Sequence, residues 1–186
     1  GDFDSSNQGE IQQISLGSSH SSALTKDGAL YTWGENWFGQ LGNGSTDGNY
    51  SSPYKISDNV LMPGLLENKQ KRVSLGSRHS GAIIKDGSLY TWGHNGYGQL
   101  GDGTTTRKST PIQIIGNAAE VSMGSDHSAV ITKDGGLYTW GYNYYGQLGD
   151  GTTGNKNRPV KIMENVAEVS MGGSHSAALT KDGSLY

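Results

Sequence analysis

The chain has 186 residues, 32% of them hydrophobic and 30 of them glycine, which gives room for one ordinary domain built from small residues and backbone rather than around one large aliphatic core. With 14 Lys and Arg against 17 Asp and Glu, the net charge is -3 and both signs are spread along the chain, which speaks against a nucleic-acid partner and an anionic membrane. Cysteine is absent, so disulfides contribute nothing and the redox compartment stays open, and no apolar run approaches the roughly 20 residues that span a bilayer as a helix.

Residues 1–10, "GDFDSSNQGE", carry no signal-peptide pattern and read as an N-terminal tail or cloning remnant; a start at Gly1 rather than Met points to a processed or cut product. From residue 11 onward the chain repeats itself. "HSSALTKDGALYTWGENWFGQLGNGST" begins at His20, nearly the same words return at His79 and His127, and a partial copy runs from His175 to Tyr186. The histidines at 20, 79, 127 and 175 define units over 11–72, 73–120, 121–168 and a partial 169–186. The first unit is longer by an insertion near 54–72, a polar stretch with Pro63, Gly64 and Asn68 that reads as a rim loop. Within it "KQKR", Lys69 to Arg72, reads as a solvated loop.

Each unit carries the same short elements in the same order. A small-residue strand such as "HSSALT" is joined to "LYTWG" through "KDG", and Asp-Gly between strand-like runs predicts a type I′ hairpin turn with positive φ at both central positions. The following "N-x-x-G-Q-L-G-[DN]-G" is too glycine-rich for a regular element and reads as a tight loop set by the backbone. "SPYKIS", "TPIQII" and "RPVKIM" then offer a short strand led by Pro, and a further strand such as "AAEVSMG" opens the next unit. Both faces of "LYTWG" and "HSSALT" carry residues that can be buried, as in a sheet sandwiched between neighbours rather than one wetted on a side. Four short strands per 48 residues without helical periodicity predict an all-β protein, a β-propeller of four-stranded antiparallel blades.

The pattern G-x-x-H-[ST]-x-A-[LIV]-x-K-D-G-x-L-Y-T-W-G-x-N-x-x-G-Q-L-G-[DN]-G closely resembles the regulator of chromosome condensation repeat, and the resemblance covers residues 11–186. It implies a seven-bladed propeller of which this chain supplies about three and a half blades, an incomplete ring. It further implies partners bound through loops on one propeller face, as in a secreted β-lactamase inhibitor of the family, and it brings in guanine-nucleotide exchange on a small GTPase, the activity of the founding member. Exposed blade ends in such a segment lead us to expect either self-association or the remainder of a longer propeller, its end at "KDGSLY" just short of "TWG" pointing to a fragment.

Residues repeated in every copy cannot single out one site. Equivalent atoms of adjacent blades stand roughly 10 Å apart, whereas zinc needs its nitrogens about 2.0 to 2.1 Å from one centre, so His20, His79, His127 and His175 are expected to be structural, each bonding a loop backbone. Asp27, Asp86, Asp134 and Asp182 are expected in the turns, Trp33, Trp92 and Trp140 in blade packing, and "NGSTDGN" from Asn43 in a turn rather than a calcium loop. The "GQLG" glycines match no phosphate-loop pattern.

Positions that vary between copies carry the functional expectation. After "WG" these are Glu35, His94 and Tyr142 at one place and Trp37, Gly96 and Tyr144 at another; before the histidine they are Ser19, Arg78, Asp126 and Ser174. Phe38, Tyr97 and Tyr145 are aromatic in every copy and are expected to pack. The partner-binding candidates are therefore Glu35, Trp37, Arg78, His94, Asp126, Tyr142 and Tyr144, because aromatic and Arg anchors on exposed loops carry most of the energy of protein interfaces. The expected function is a protein-interaction scaffold without catalysis, cofactor or metal. The alternatives are nucleotide exchange, with Asp126 disturbing a bound nucleotide, and carbohydrate binding by stacking on Trp37 and Tyr144. A secreted or cell-surface setting is placed slightly ahead of the cytoplasm.

Overall fold

The computed structural model describes residues 9–60 and 70–186. Residues 1–8 of the tail, 61–69 of the insertion and Lys69 of "KQKR" lie outside the described residues. No helix among the described residues is long and apolar enough to cross a membrane.

The first blade is β1 (Ile11–Leu16), β2 (His20–Thr25), β3 (Leu30–Glu35) and β4 (Asn49–Ser57), hydrogen-bonded in that order. The second holds β5 (Val73–Leu75), β6 (His79–Ile83), β7 (Leu89–Gly93) and β8 (Lys108–Ile115); the third holds β9 (Ala118–Met123), β10 (His127–Thr132), β11 (Leu137–Gly141) and β12 (Lys156–Met163). β13 (Val166–Met171) and β14 (Ser176–Thr180) form a two-stranded fourth sheet. All pairings are antiparallel, as in a propeller blade that meanders from inner strand to outer edge.

The core is divided into slabs between blades. Leu24 and Leu30 of the first blade meet Val73, Ala82 and Trp92 of the second; Ile83 and Leu89 meet Val121, Val130 and Trp140 of the third; Ala129, Ile131 and Leu137 meet Val166, Val169 and Ala178 of the fourth. One set of each strand's side chains therefore packs forward and the other backward, which is why neither face of "LYTWG" is polar. A fully buried Leu, Ile or Val contributes about 1.5 to 3 kcal/mol, so each slab depends on having a neighbouring blade.

Three local expectations are corrected. The "KDG" turns are not type I′: Gly28, Gly87, Gly135 and Gly183 have φ of 93°, 86°, 87° and 90°, while the preceding Asp residues are not in the positive-φ region. Thr25 N–H donates to the Ala29 carbonyl and Gly28 N–H to the Thr25 carbonyl, closing a three-residue loop in which only the last residue is left-handed. The Asp carboxylate caps this loop, as where Asp86 accepts from the Ser88 N–H at 2.7 Å. The prolines do not lead their strands either. Pro53, Pro111 and Pro159 lie inside β4, β8 and β12, at the register shifts opposite Trp33, Trp92 and Trp140, where an outer edge strand needs no donor. Arg72 is no solvated loop residue: it is buried, its guanidinium bonds the Ala119 carbonyl of the next blade and the Gln70 side chain, and its own carbonyl accepts from Ile83 N–H.

Candidate functional site

The repeated residues form a latch between blades. His20 Nε2 lies 2.9 Å from Ser80 Oγ, and Ser80 donates its one hydroxyl proton to the Gln40 carbonyl at 2.7 Å. The hydroxyl oxygen must therefore accept from an Nε2–H, which fixes the histidine tautomer. Trp92 Nε1 donates to that Gln40 carbonyl at 2.9 Å. The unit recurs with His79, Ser128, Gln99 and Trp140, and then with His127, Ser176 and Gln147. The imidazole partner is thus a serine hydroxyl one blade away, not the loop backbone expected from the sequence. Nδ1 of His20, His79 and His127 has no hydrogen-bond partner among the described residues. A second proton there would be buried without an acceptor, so burial pushes these imidazoles down from 6.5, to about 4, about 3 and about 4.

The glycine-rich loop is built around a buried asparagine. Asn36 Oδ1 accepts from Leu41 N–H at 3.0 Å while its amide donates to the Asn43 side chain and the Ser45 carbonyl; Asn95 and Asn143 repeat this. Thr32, Thr91 and Thr139 of "YTWG" clamp the loop through the Leu41, Leu100 and Leu148 carbonyls. At Gly101, φ of 82° and a would-be Cβ 2.8 Å from Trp140 Nε1 leave no room for a side chain, so the loop can seat the next blade's indole. Asn43 sits in this turn, and among the described residues no group of His, Cys, Asp or Glu is placed to hold a metal.

The varied positions ride on this rigid loop. β1 and β3 run toward the same end of the blade, so the residue before the histidine and the residue after "WG" meet there: Glu35 N–H donates to the Ser19 carbonyl, His94 to Arg78 and Tyr142 to Asp126, at 2.8 to 2.9 Å. Side chains then link one blade to the next. Arg78 of the second blade stands 5.0 Å over the Phe38 ring of the first, and Phe38 meets His94 edge-on at 4.9 Å. Tyr97 meets Tyr142 of the third blade at 4.7 Å between centroids, and Tyr142 continues to Tyr144 and Tyr145. Phe38 and Tyr97 thus pack, but against the varied residues of the following blade rather than in the core, and Tyr97 remains 41% exposed. Tyr145 is 67% exposed and meets Tyr142 and Tyr144 edge-on.

The scaffold glutamines carry this strip, a role that repetition alone did not signal. Gln99 Nε2 donates to Asp126 Oδ1 and His94 Nδ1, each at 2.8 Å, and Gln40 Nε2 to Glu35 at 3.3 Å. Glu35 also accepts from the Ser19 hydroxyl. The His94 ring beside it, against the opposing effect of burial, holds the Asp126 carboxyl below its ordinary range, and desolvation with the neighbouring tyrosines and Asp126 pushes the Tyr142 phenol up. Six of the seven candidates, Glu35, Arg78, His94, Asp126, Tyr142 and Tyr144, lie along this band. Trp37, 56% exposed, stands at its near end in a groove of about 550 Å³ with Glu35, Trp33 and Tyr50; Arg107 of the next blade donates to its carbonyl.

Comparison with known proteins accords with this architecture. The human E3 ubiquitin-protein ligase HERC2 is 41% identical over 101 residues, 54% of this chain and 2% of HERC2, and the ultraviolet-B receptor UVR8 of Arabidopsis thaliana is 37% identical over 110 residues, 59% of this chain and 23% of UVR8. Among solved structures, human WBSCR16 superposes with a TM-score of 0.78 at 26% identity over 94% of this chain and 46% of that one, and Prp20p of Saccharomyces cerevisiae with 0.77 at 24% over 93% and 45%. The chain spans less than half the length of each of these proteins. The sequence model of the RCC1-like domain matches residues 2–186, and with the latch repeated at three successive blade junctions the chain belongs to that family of β-propellers.

Proposed function

We propose that this propeller segment is a binding module without chemistry of its own, and that a protein partner docks on the strip running from Trp37 to Tyr144. The observation that supports this most directly is the gathering of positions that differ between copies. They collect at one end of three successive blades as exposed aromatic rings with Arg78, His94, Glu35 and Asp126 among them, while the repeated residues are spent on the inter-blade latch. Exposed aromatic and Arg anchors on a rigid frame are what hot spots are made of. Prp20p, alike in fold, is described by its binding properties to Gsp1p and histones. Nucleotide exchange would require Asp126 to reach a nucleotide, but its carboxylate is already held by Gln99 beside His94, which favours a role in shaping the strip. Replacing Trp37, Tyr142 and Tyr144 together with Ala is expected to abolish capture of a partner identified by pull-down with the parent protein, at a stability cost of no more than about 1.5 kcal/mol from the lost Tyr97–Tyr142 contact; unchanged capture would remove this face.

The blade ends support a second element of the proposal. Ile14 is 65% exposed where its counterpart Val73 is 2% exposed, and Leu185 is 75% exposed where Leu89 is fully buried. We infer that these end faces are covered by further blades, in a second copy or in the remainder of a longer propeller. Light scattering of the 186-residue chain over a range of concentrations tests the second copy, and a monomer throughout would discard it.

A further inference from the structure

The second blade interrupts the aromatic band. Where the first and third blades carry Trp37 and Tyr144, it carries Gly96, whose backbone is outside the positive-φ region that would call for glycine. In the third blade Tyr144 lies alongside the ring two residues before it, 11° from the plane of Tyr142 with centroids 6.4 Å apart. A Cβ at Gly96 would stand 3.0 Å from His94 Nε2 and 3.1 Å from its Cε1 and would meet nothing else within 4 Å, so the missing side chain leaves that edge of the imidazole open. Gly96 is exposed, and Phe38 and Tyr97 stand nearly perpendicular to the imidazole at 4.9 and 6.1 Å as the walls of a notch. Phe38 comes from the preceding blade and Asp126 from the following one, so three successive blades enclose it.

The open edge is a donor. Tyr97 N–H donates to Gln99 Oε1 at 2.9 Å, which orients the amide so that its Nε2 protons go to Asp126 and to His94 Nδ1. Nδ1 therefore accepts, and the neutral ring carries its proton on Nε2; a protonated ring carries one there too. Among the described residues nothing accepts from that Nε2. Arg78, exposed and in no ion pair among the described residues, holds its guanidinium 5.0 Å over the same Phe38 ring that His94 meets. The Asp126 carboxylate is taken up by Gln99 on the Nδ1 side of the imidazole. A free N–H with a guanidinium on the same ring wall suits an anionic oxygen and repels a cation.

Resting on the assignment of this face as the docking surface, we infer that the notch at Gly96 takes a side-chain carboxylate of the partner, received by His94 Nε2–H and drawn in by Arg78, so that the partner presents an acidic residue to the second blade. The experiment titrates blocked glycine–serine peptides carrying a single central Glu, Gln, Lys or phosphoserine against the intact chain, into the millimolar range, while the His94 ring resonances, assigned with His94→Phe, are followed by NMR. The Glu peptide is expected to shift them, the Gln peptide to bind about fivefold more weakly, the margin between a charge-assisted and a neutral hydrogen bond, and the Lys peptide to be silent. Gly96→Tyr, which places there the residue type that the third blade carries and the frame accommodates, is expected to abolish the response. Arg78→Gln is expected to weaken the Glu peptide about fivefold and leave the Gln peptide unchanged. Equal binding of Gln and Glu, binding that survives Gly96→Tyr, or a phosphoserine peptide that binds while Glu is silent would each overturn the inference. Silent Glu peptides alongside partner capture that still depends on Trp37, Tyr142 and Tyr144 overturn the carboxylate notch alone. Capture that survives the triple substitution overturns the docking face itself.

Discussion

Each latch histidine works as a neutral hydrogen-bond donor, and its stability contribution has a defined pH sense. The folded pKa values of about 4 for His20 and His127 and about 3 for His79 lie below the ordinary 6.5, so acid protonates the unfolded chain first. The stabilisation is whole above about pH 6.5 and is lost as pH falls toward 4 and 3, on the order of 3 kcal/mol for His20 and His127 and about 5 kcal/mol for His79 at the end of each window. Around His79 the neighbouring charged or titratable groups are Asp126, which opposes the shift, and His20, His127 and His94, which reinforce it. Glu120, pushed up to about 7 by burial, acts in the opposite sense between about pH 4.5 and 7. One carboxyl against three imidazoles leaves acidification destabilising, so the urea midpoint is expected to fall between pH 7.5 and pH 5. A midpoint that stays level or rises would show that these rings are not held neutral.

At the scale of the element, the prediction concerns the joint between blades. Trp140→Phe keeps most of the buried ring but removes the donor to the Gln99 carbonyl, and is expected to cost about 1 to 3 kcal/mol in chemical denaturation. Gly87→Ala places a side chain at φ of 86° and is expected to cost about 1 kcal/mol, while Gly154→Ala, with open space around it and no positive φ, is expected to be neutral. Equal effects at Gly87 and Gly154 would contradict the turn geometry. The blades themselves were legible because strand, turn and period all recur within 48 residues, and because Asp-Gly marks a hairpin whatever its loop length. Loop length was not legible: whether two or three residues sit outside the ladder depends on the pairing of Leu24 with Leu30, which composition does not set. Nor was the imidazole's partner, since Ser80 lies 60 residues from His20 and Ser128 lies 49 from His79. Arg72 was misread for the same reason, its acceptor at Ala119 belonging to another blade. Among the candidate residues, variation between copies picked out positions that the fold gathers at one end of each blade, but it could not show that Gln99 ties His94 to Asp126, or that Phe38 and Tyr97 pack along that end rather than in the core.

For the whole molecule, a division of labour follows from the repeat. Three slabs of small and aliphatic side chains and a relay of His, Ser, Gln and Trp hold the blades at fixed spacing, which leaves the loops at one end free to differ without loss of the frame. Stability and recognition should therefore be separable by mutation. The decisive measurement sets two variants side by side, Ser128→Ala in the latch and Trp37, Tyr142 and Tyr144 to Ala in the strip, and reads both the urea midpoint and partner capture at a temperature where each remains folded. The latch variant is expected to lose about 1 to 3 kcal/mol and keep capture, and the strip variant to lose no more than about 1.5 kcal/mol, from the Tyr97–Tyr142 contact, and lose capture. A latch variant that loses capture while still folded, or a strip variant that captures as well as the parent, would contradict the assignment of scaffold to the repeated residues and of recognition to the varied ones.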